Sequence, residues 1–353
     1  MASMEKIAVL AITKNGIKIA HTIKQSFPGW EIFAPSKFRD QTSITWYEDQ
    51  TSVKVAELFG RFDGLVCLFS LGAVIRLVAP YLKDKKTDPA IIVIDDKASF
   101  VISVLSGHLG GANELTEEIA KKLGATPVIT TAADVNKTIP VDLLGKEFGW
   151  KIDDDSNVTR ISALMVNEEK IGIYQDCGEK NWWKTELPKN VTMYDSMEKL
   201  KNSDSKAYLI ISDKTFDGEI LKNSVVYRPK TLVAGIGLHG DTTKEKIIQC
   251  LQSTLSRYDL SAKCIARLVS LKKPADVQGL IDVANDLGVP LYYFEREDLA
   301  QISIPNPSQM VQAYEGTPSV SEAAAIKSSG GKLIVEKQKF PPDLTVAIAR
   351  IEQ

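Results

Sequence analysis

The sequence predicts three α/β domains: an N-terminal doubly wound, mostly parallel sheet, a small middle α/β insert, and a C-terminal α/β domain. Three observations lead there. The chain has 353 residues, too many for one ordinary core and suited to domains of roughly 100 to 150 residues. Short β-branched apolar runs alternate with longer helix-period stretches over the first 130 residues and again after residue 230, which is the rhythm of βαβ units. Between those regions the composition turns charged and the periodicity weakens, as an insert does. The expected boundaries are 1–136, 137–229 and 230–353.

In chain order, "KIAVLAI" is a strand, Lys14 to Phe27 a helix, "EIFAP" a strand, Val53 to Phe62 a helix, "GLVCLFS" a strand, Gly72 to Leu82 a helix and "AIIVID" a strand. "FVISVLSG" adds a strand, and a helix from Asn113 to Leu123 leads into "TPVITTAAD". The ligand edge of such a sheet is expected at the carboxyl ends of its strands. In the middle segment Pro140 opens a helix-like "VDLLGKEFGW", and "EKIGIYQD", "NVTMYD" and "AYLIISD" read as strands. From "VVYRPKTLVAGIGLHG" onward the βα rhythm resumes. It runs through "TLVAGIG", a helix over Thr242 to Leu255, "KCIARLVSL", a helix over Pro274 to Leu287, "VPLYYF", a helix from Ser319 to Ser328, "KLIVEK" and "LTVAIARI".

Composition excludes several classes. Apolar residues make up 44% and charged residues 25%, values of a globular chain. The formal net charge of −2 sets up no global field for nucleic acid, although a local basic pocket for an acidic small molecule stays open. Cys67, Cys177, Cys250 and Cys264 are scattered, mostly in apolar runs with no C-x-x-C, and read as buried small hydrophobes in a reducing compartment. The apolar run near the start, Ile7 to Ile12, is six residues long, too short for a signal segment or a membrane span. A cytoplasmic location away from membranes is therefore the default expectation. No G-x-S-x-G elbow, P-loop or H-E-x-x-H occurs, so serine-hydrolase, NTPase and zinc-enzyme readings lack their motif and no metal ligands are assigned.

The strongest candidate site is "VLSGHLGGANELTEEIA". Gly107, Gly110 and Gly111 allow close backbone approach just where Asn113 and Glu114 open a helix. Amides and dipole at such a start favour a carboxylate or phosphate, and the imidazole of His108 is the type of group that serves as a general acid or base near neutral pH. A tight turn with a packed histidine is the plain alternative. Arg76, in "GAVIRLVAPYL", is placed to fork a ligand carboxylate or to lay its stem over apolar surface. Thr131 and Asp134, beyond the "VITTAAD" strand, bind a ligand or cap a turn. Gly235, Gly237 and Gly240 spell G-x-G-x-x-G, yet no acidic residue ends the following strand, which argues against a nicotinamide oxidoreductase. A loop presenting His239 to another ligand competes there with a turn capped by Asp241 or Thr242. "GTPSVSEAAAI" reads as a capping box from Ser319 to Glu322.

With these stretches in view, the sequence resembles the CbiG family, the cobalt-precorrin-5A hydrolases of the oxygen-independent route to vitamin B12. The resemblance rests on "GAVIRLVAPYLKDKKTDPAIIVID", "VISVLSGHLGGANELTEEIA" and "PVITTAAD" in the first domain, and on "AGIG", "PLYYFEREDLA", "GTPSVSEAAA" and "TVAIAR" in the last. The loop after "GIG" departs from the family pattern, since it reads Leu238-His239-Gly240-Asp241 where basic residues are usual. The resemblance implies opening of a δ-lactone in a contracted tetrapyrrole, with release of acetaldehyde and formation of cobalt-precorrin-5B. It implies no cofactor, because the cobalt is carried by the substrate. A noncatalytic tetrapyrrole carrier of the same pathway is the alternative. Neighbouring pathway methyltransferases and a second copy of the chain are the protein partners to consider. On this reading His108 activates the water, Glu114 is the second choice of base, and the Gly110 or Gly111 amide steadies the oxyanion.

Overall fold

The computed structural model describes residues 6–40, 44–84, 87–107, 110–132, 136, 138–342 and 344–352. The chain divides into two compact units, Met1–Leu143 and Leu144–Gln353. The first holds one sheet, and the second holds two.

In the first unit β1 (Ile7–Ala11), α1 (Lys14–Ser26), β2 (Glu31–Pro35), β3 (Thr45–Tyr47), α2 (Thr51–Phe59), β4 (Gly64–Leu68), α3 (Leu71–Val78) and β5 (Ala90–Ile94) are followed by β6 (Phe100–Leu105), α4 (Ala112–Leu123) and β7 (Thr126–Val128). The strand order is β3-β2-β1-β4-β5-β6-β7. β1, β4 and β5 are buried along their whole length, as strands covered on both faces must be. α1 and α4 cover one face, through Ile17, Ala20, Ile23, Leu115 and Ile119. α2 and α3 cover the other, through Val55, Leu58, Val74 and Val78.

One departure from the expected topology decides where the site lies. β5 and β6 pair antiparallel, and β7 runs parallel to β6. Five residues, 95–99, join β5 to β6, far fewer than a parallel crossover needs. Asp95 braces the reversal by accepting from the amides of Lys97 and Phe100, at 3.1 and 2.6 Å. The carboxyl ends of β6 and β7 therefore lie at the edge of the sheet where β4 and β5 begin. The sheet has no single ligand edge.

In the second unit β8 (Lys151–Ile152), α5 (Val158–Val166), β9 (Ile171–Gln175), β10 (Val191–Tyr194), β11 (Ala207–Ile211) and β12 (Ser224–Arg228) form a sheet of order β10-β9-β11-β12-β8. All pairs are parallel except the short β8 edge. "VVYR" thus belongs to the middle sheet. The expected helix after Pro140 is instead a series of turns and a single 3₁₀ turn, Lys146–Phe148. Gly145 and Gly149 both take positive φ, +74° and +73°, which breaks the helical path.

The last sheet contains β13 (Leu232–Leu238), β14 (Ile265–Leu271), β15 (Leu291–Phe294), β16 (Leu333–Phe340) and β17 (Leu344–Arg350), in the order β15-β14-β13-β17-β16. α6 (Lys244–Arg257) and α7 (Gln278–Leu287) pack on one face through Ile247, Leu251, Leu280 and Val283. α8 (Val320–Ser329) packs on the other through Val320, Ala323 and Ala324.

Candidate functional site

The candidate site is built where β6 gives way to α4. Ser106 takes a left-handed backbone, φ +56°, and Gly111 another, φ +78°, as the N-cap of α4. Gly110 sits so close to Ser106 that a Cβ on it would lie 2.4 Å from the Ser106 Cβ and 2.7 Å from its carbonyl oxygen. A Cβ on Gly107 would lie 2.7 Å from Asn113 Oδ1. These two glycines are required by close approach. The motif also consumes part of its own donor set: the Ala112 amide donates to the Ser106 carbonyl at 3.2 Å and the Asn113 amide to that of Gly107 at 3.0 Å. The helix start is therefore less open to an anion than its sequence suggests.

Asn113 turns inward. Its Oδ1 accepts from Ser103 Oγ at 2.6 Å and its Nδ2 donates to Thr131 Oγ1 at 2.9 Å. Ser106 Oγ donates to the Asp88 carbonyl at 2.8 Å, tying the motif to the edge where β5 begins. One polar cluster thus joins β6, the start of α4 and the segment after β7. Thr116, fully buried one turn further along α4, leaves its hydroxyl without a partner among the described residues. Ser103 and Ser106 were not singled out from sequence. The usable signal was their place in the last turns of a strand entering a glycine loop.

The other candidates do not all converge. His108 and Asp134 lie outside the described residues. Glu114 is exposed in the first turn of α4, where a carboxylate suits the dipole. Arg76 sits on α3, across the sheet from α4, and its Nη1 donates to the Gly72 carbonyl one turn back, at 2.9 Å. Arg76 and the start of α4 thus lie on opposite faces of the sheet.

The G-x-G-x-x-G reading is corrected as well. Gly235 and Gly237 lie inside β13, fully buried, and not in a strand-to-helix loop. A Cβ on Gly235 would meet the Ser321 carbonyl oxygen at 1.9 Å, and one on Gly237 would meet Thr345 Oγ1 at 2.5 Å. Gly235 is glycine because α8 rests directly on bare strand backbone, and Gly237 leaves room for the Thr345 side chain of the neighbouring strand β17. His239 and Gly240 are exposed beyond the strand, and the cap of α6 is Thr243, whose hydroxyl accepts from the Lys246 amide at 3.4 Å. Neither Asp241 nor Thr242 serves.

All four cysteines are free and buried, and burial pushes the thiols of Cys67 and Cys264 up to about 12. Among the described residues one group has metal-ligand spacing: Asp176, Cys177 and Asp213, with ligand atoms within 4.8 Å of one another. Asp213 is already engaged. It accepts from Arg350 Nε and Nη2 at 2.8 and 2.7 Å and from Thr231 Oγ1 at 3.1 Å, while burial and the two neighbouring carboxylates push the Cys177 thiol up. The group reads as the buried seam between the two sheets of the second unit. No helix among the described residues is long and apolar enough to cross a membrane.

Three family models match: "Cobalamin synthesis G N-terminal" over residues 54–134, "Cobalamin biosynthesis central region" over 139–229, and "Cobalamin synthesis G C-terminus" over 232–349. The cobalt-precorrin-5A hydrolase of Priestia megaterium is 42% identical over 98% of this chain and 94% of its own. That of Salmonella typhimurium is 30% identical over 94% of each. A crystal structure described as a putative cobalamin biosynthesis protein G homolog from Sulfolobus solfataricus is 22% identical over 99% of this chain and 98% of its own, with a TM-score of 0.39. On the strength of the family models and of the full-length relatives, the chain belongs to the CbiG family of cobalamin biosynthesis.

Proposed function

We infer that the chain is a cobalt-precorrin-5A hydrolase. The observation that carries this is 42% identity to the Priestia megaterium hydrolase along 98% of the chain, so that all three regions are retained together. The overall change consumes one water: its oxygen adds to the lactone carbonyl and the acyl–oxygen bond breaks, after which the freed alkoxide becomes the carbonyl of acetaldehyde as its carbon–carbon bond to the macrocycle breaks, the macrocycle keeping the electron pair and taking up a proton. Cobalt enters and leaves with the macrocycle, as part of the substrate.

For this chain's residues, the glycine-rich motif is the proposed catalytic segment. His108 takes the proton of the attacking water, and the amide of Gly110 or Gly111 steadies the charge on the carbonyl oxygen. Asn113, locked by Ser103 and Thr131, supports this by fixing the start of α4, a positioning role. His108→Ala is expected to lower acetaldehyde release from cobalt-precorrin-5A about 10²- to 10⁴-fold, with substrate binding retained. Turnover near that of the parent protein would remove His108 from the mechanism. Tight substrate binding by the parent protein without any acetaldehyde would favour a carrier.

A further inference from the structure

The start of α8 lacks the self-capping that "GTPSVSEAAAI" suggests. Ser319 is its N-cap, with extended backbone (φ −162°, ψ 124°), but the hydroxyl bonds no first-turn amide. Glu322, fully buried, accepts instead from Asn306 Nδ2 at 2.9 Å, the Lys337 amide at 3.0 Å and the Asn306 amide at 3.3 Å. Thr317, Ser319 and Ser321 are at most 1% exposed, and none of their hydroxyl oxygens has a hydrogen-bond partner among the described residues. A buried hydroxyl without a partner is a standing cost. Three in one short stretch exceed what a native fold carries without a use, given only a few such groups per hundred residues.

Their position says what the use is. The Ser321 amide lies 3.6 Å from where a Cβ on Gly237 would stand, so α8 begins at the carboxyl edge of β13 and β14. That edge is where parallel strands present ligands. Hydroxyl donors join helix-start amides there, a set that suits a negatively charged oxygen. Glu322 already places one carboxylate nearby, held by its three N–H donors, which favours a singly charged group over a polyanion. The geometry points to a carboxylate-binding subsite formed by the hydroxyls of Thr317, Ser319 and Ser321 and the first-turn amides of α8. Residues 301–316 cover it, with Ile302, Ile304 and Val311 packed against Val320, Ala323 and Ala324. The Ser308 amide anchors that cover to the Pro318 carbonyl at 2.9 Å, and Lys273 pairs with Glu315 at 2.7 Å. A ligand enters by displacing this segment.

The identity of the carboxylate rests on the hydrolase reading, under which an acetate or propionate arm of the tetrapyrrole fills the subsite; the alternative source is a free small carboxylate. Acetate titration of the full chain, followed by the amide resonances of Gly237 and Ser321, tests the subsite without turnover. Saturable shifts are expected, and they should vanish in Thr317→Val/Ser319→Ala/Ser321→Ala. That variant should melt no lower than the parent, because it deletes unpartnered polar groups. With cobalt-precorrin-5A, KM should rise about tenfold while kcat stays within about twofold. Acetate shifts with an unchanged KM assign the subsite to a free carboxylate. Absence of acetate shifts together with an unchanged KM overturns the proposal. So does a variant that melts well below the parent, since the hydroxyls are then structural; the single variants decide the point if the triple one does not fold. A parent protein that titrates acetate but releases no acetaldehyde leaves the subsite standing and removes the hydrolase reading.

Discussion

At the scale of single residues, the glycines divide into two kinds that look alike in sequence. Gly107 and Gly110 let a loop close on Ser106 and Asn113, whereas Gly235 lets a helix rest on a strand and Gly237 makes room for Thr345 of the next strand. Gly235→Ala drives its new methyl into the Ser321 carbonyl, with backbone on both sides and no flexible side chain to yield. We expect a loss of about 3 kcal/mol or more, read as a lower urea midpoint. A variant of parental stability would show that α8 shifts freely on β13. The signal for this packing was present in the run Ala323-Ala324-Ala325: small side chains on a helix are what a glycine strand receives. A strand glycine and a turn glycine are told apart only by what faces them, which lies some 90 residues away in sequence.

At the scale of elements, the βα alternation was readable because buried strands and amphipathic helices carry different periods. β2 and β5 fall where their apolar runs do, and α4 and α6 lie within two residues of expectation. β3 escaped because a strand of three residues, Thr45–Tyr47, has no period to show. The direction of β6 escaped for a different reason: pairing, and not pattern, decides whether a strand runs up or down. Asp95 with its two backbone donors was the local clue to a tight reversal. The cap of α6 was likewise misplaced by a residue or two, and this has a measurable consequence. Thr243→Ala should cost about 1 kcal/mol, whereas Asp241→Ala, exposed and ahead of the cap, should change the denaturation midpoint little. Equal effects from the two would contradict the observed start of α6.

At the scale of the second unit, its two sheets meet across a charged seam. Asp153 receives Arg228 Nη2 and Lys263 Nζ, each at 2.6 Å, and Asp213 receives Arg350. Burial pushes the Asp176 carboxyl up, a hydrogen bond from Ser212 partly offsets this, and the Asp213 carboxylate adds to the rise. The sign of the linkage follows. A carboxyl raised in the folded state contributes stability that is fully present below the ordinary carboxylate pKa and is lost as pH rises through the higher folded value. Asp176→Asn should therefore unfold at higher urea than the parent at pH 7, with the two midpoints converging toward pH 4. A variant less stable than the parent at neutral pH would mean that the ionised carboxylate has a partner.

β17 carries a consequence for the order of events in synthesis. It is the latest strand of its sheet in chain order, yet it lies inside, antiparallel to β13 over seven residues on one side and paired with β16 on the other. A ribosome delivers it after every other strand of the unit. Until then β13 keeps an open hydrogen-bonding edge, and Asp213, made more than a hundred residues earlier, waits for the arginine that balances it. The second unit can be translated piecemeal, but it closes late and all at once, with the first unit already free to fold behind it.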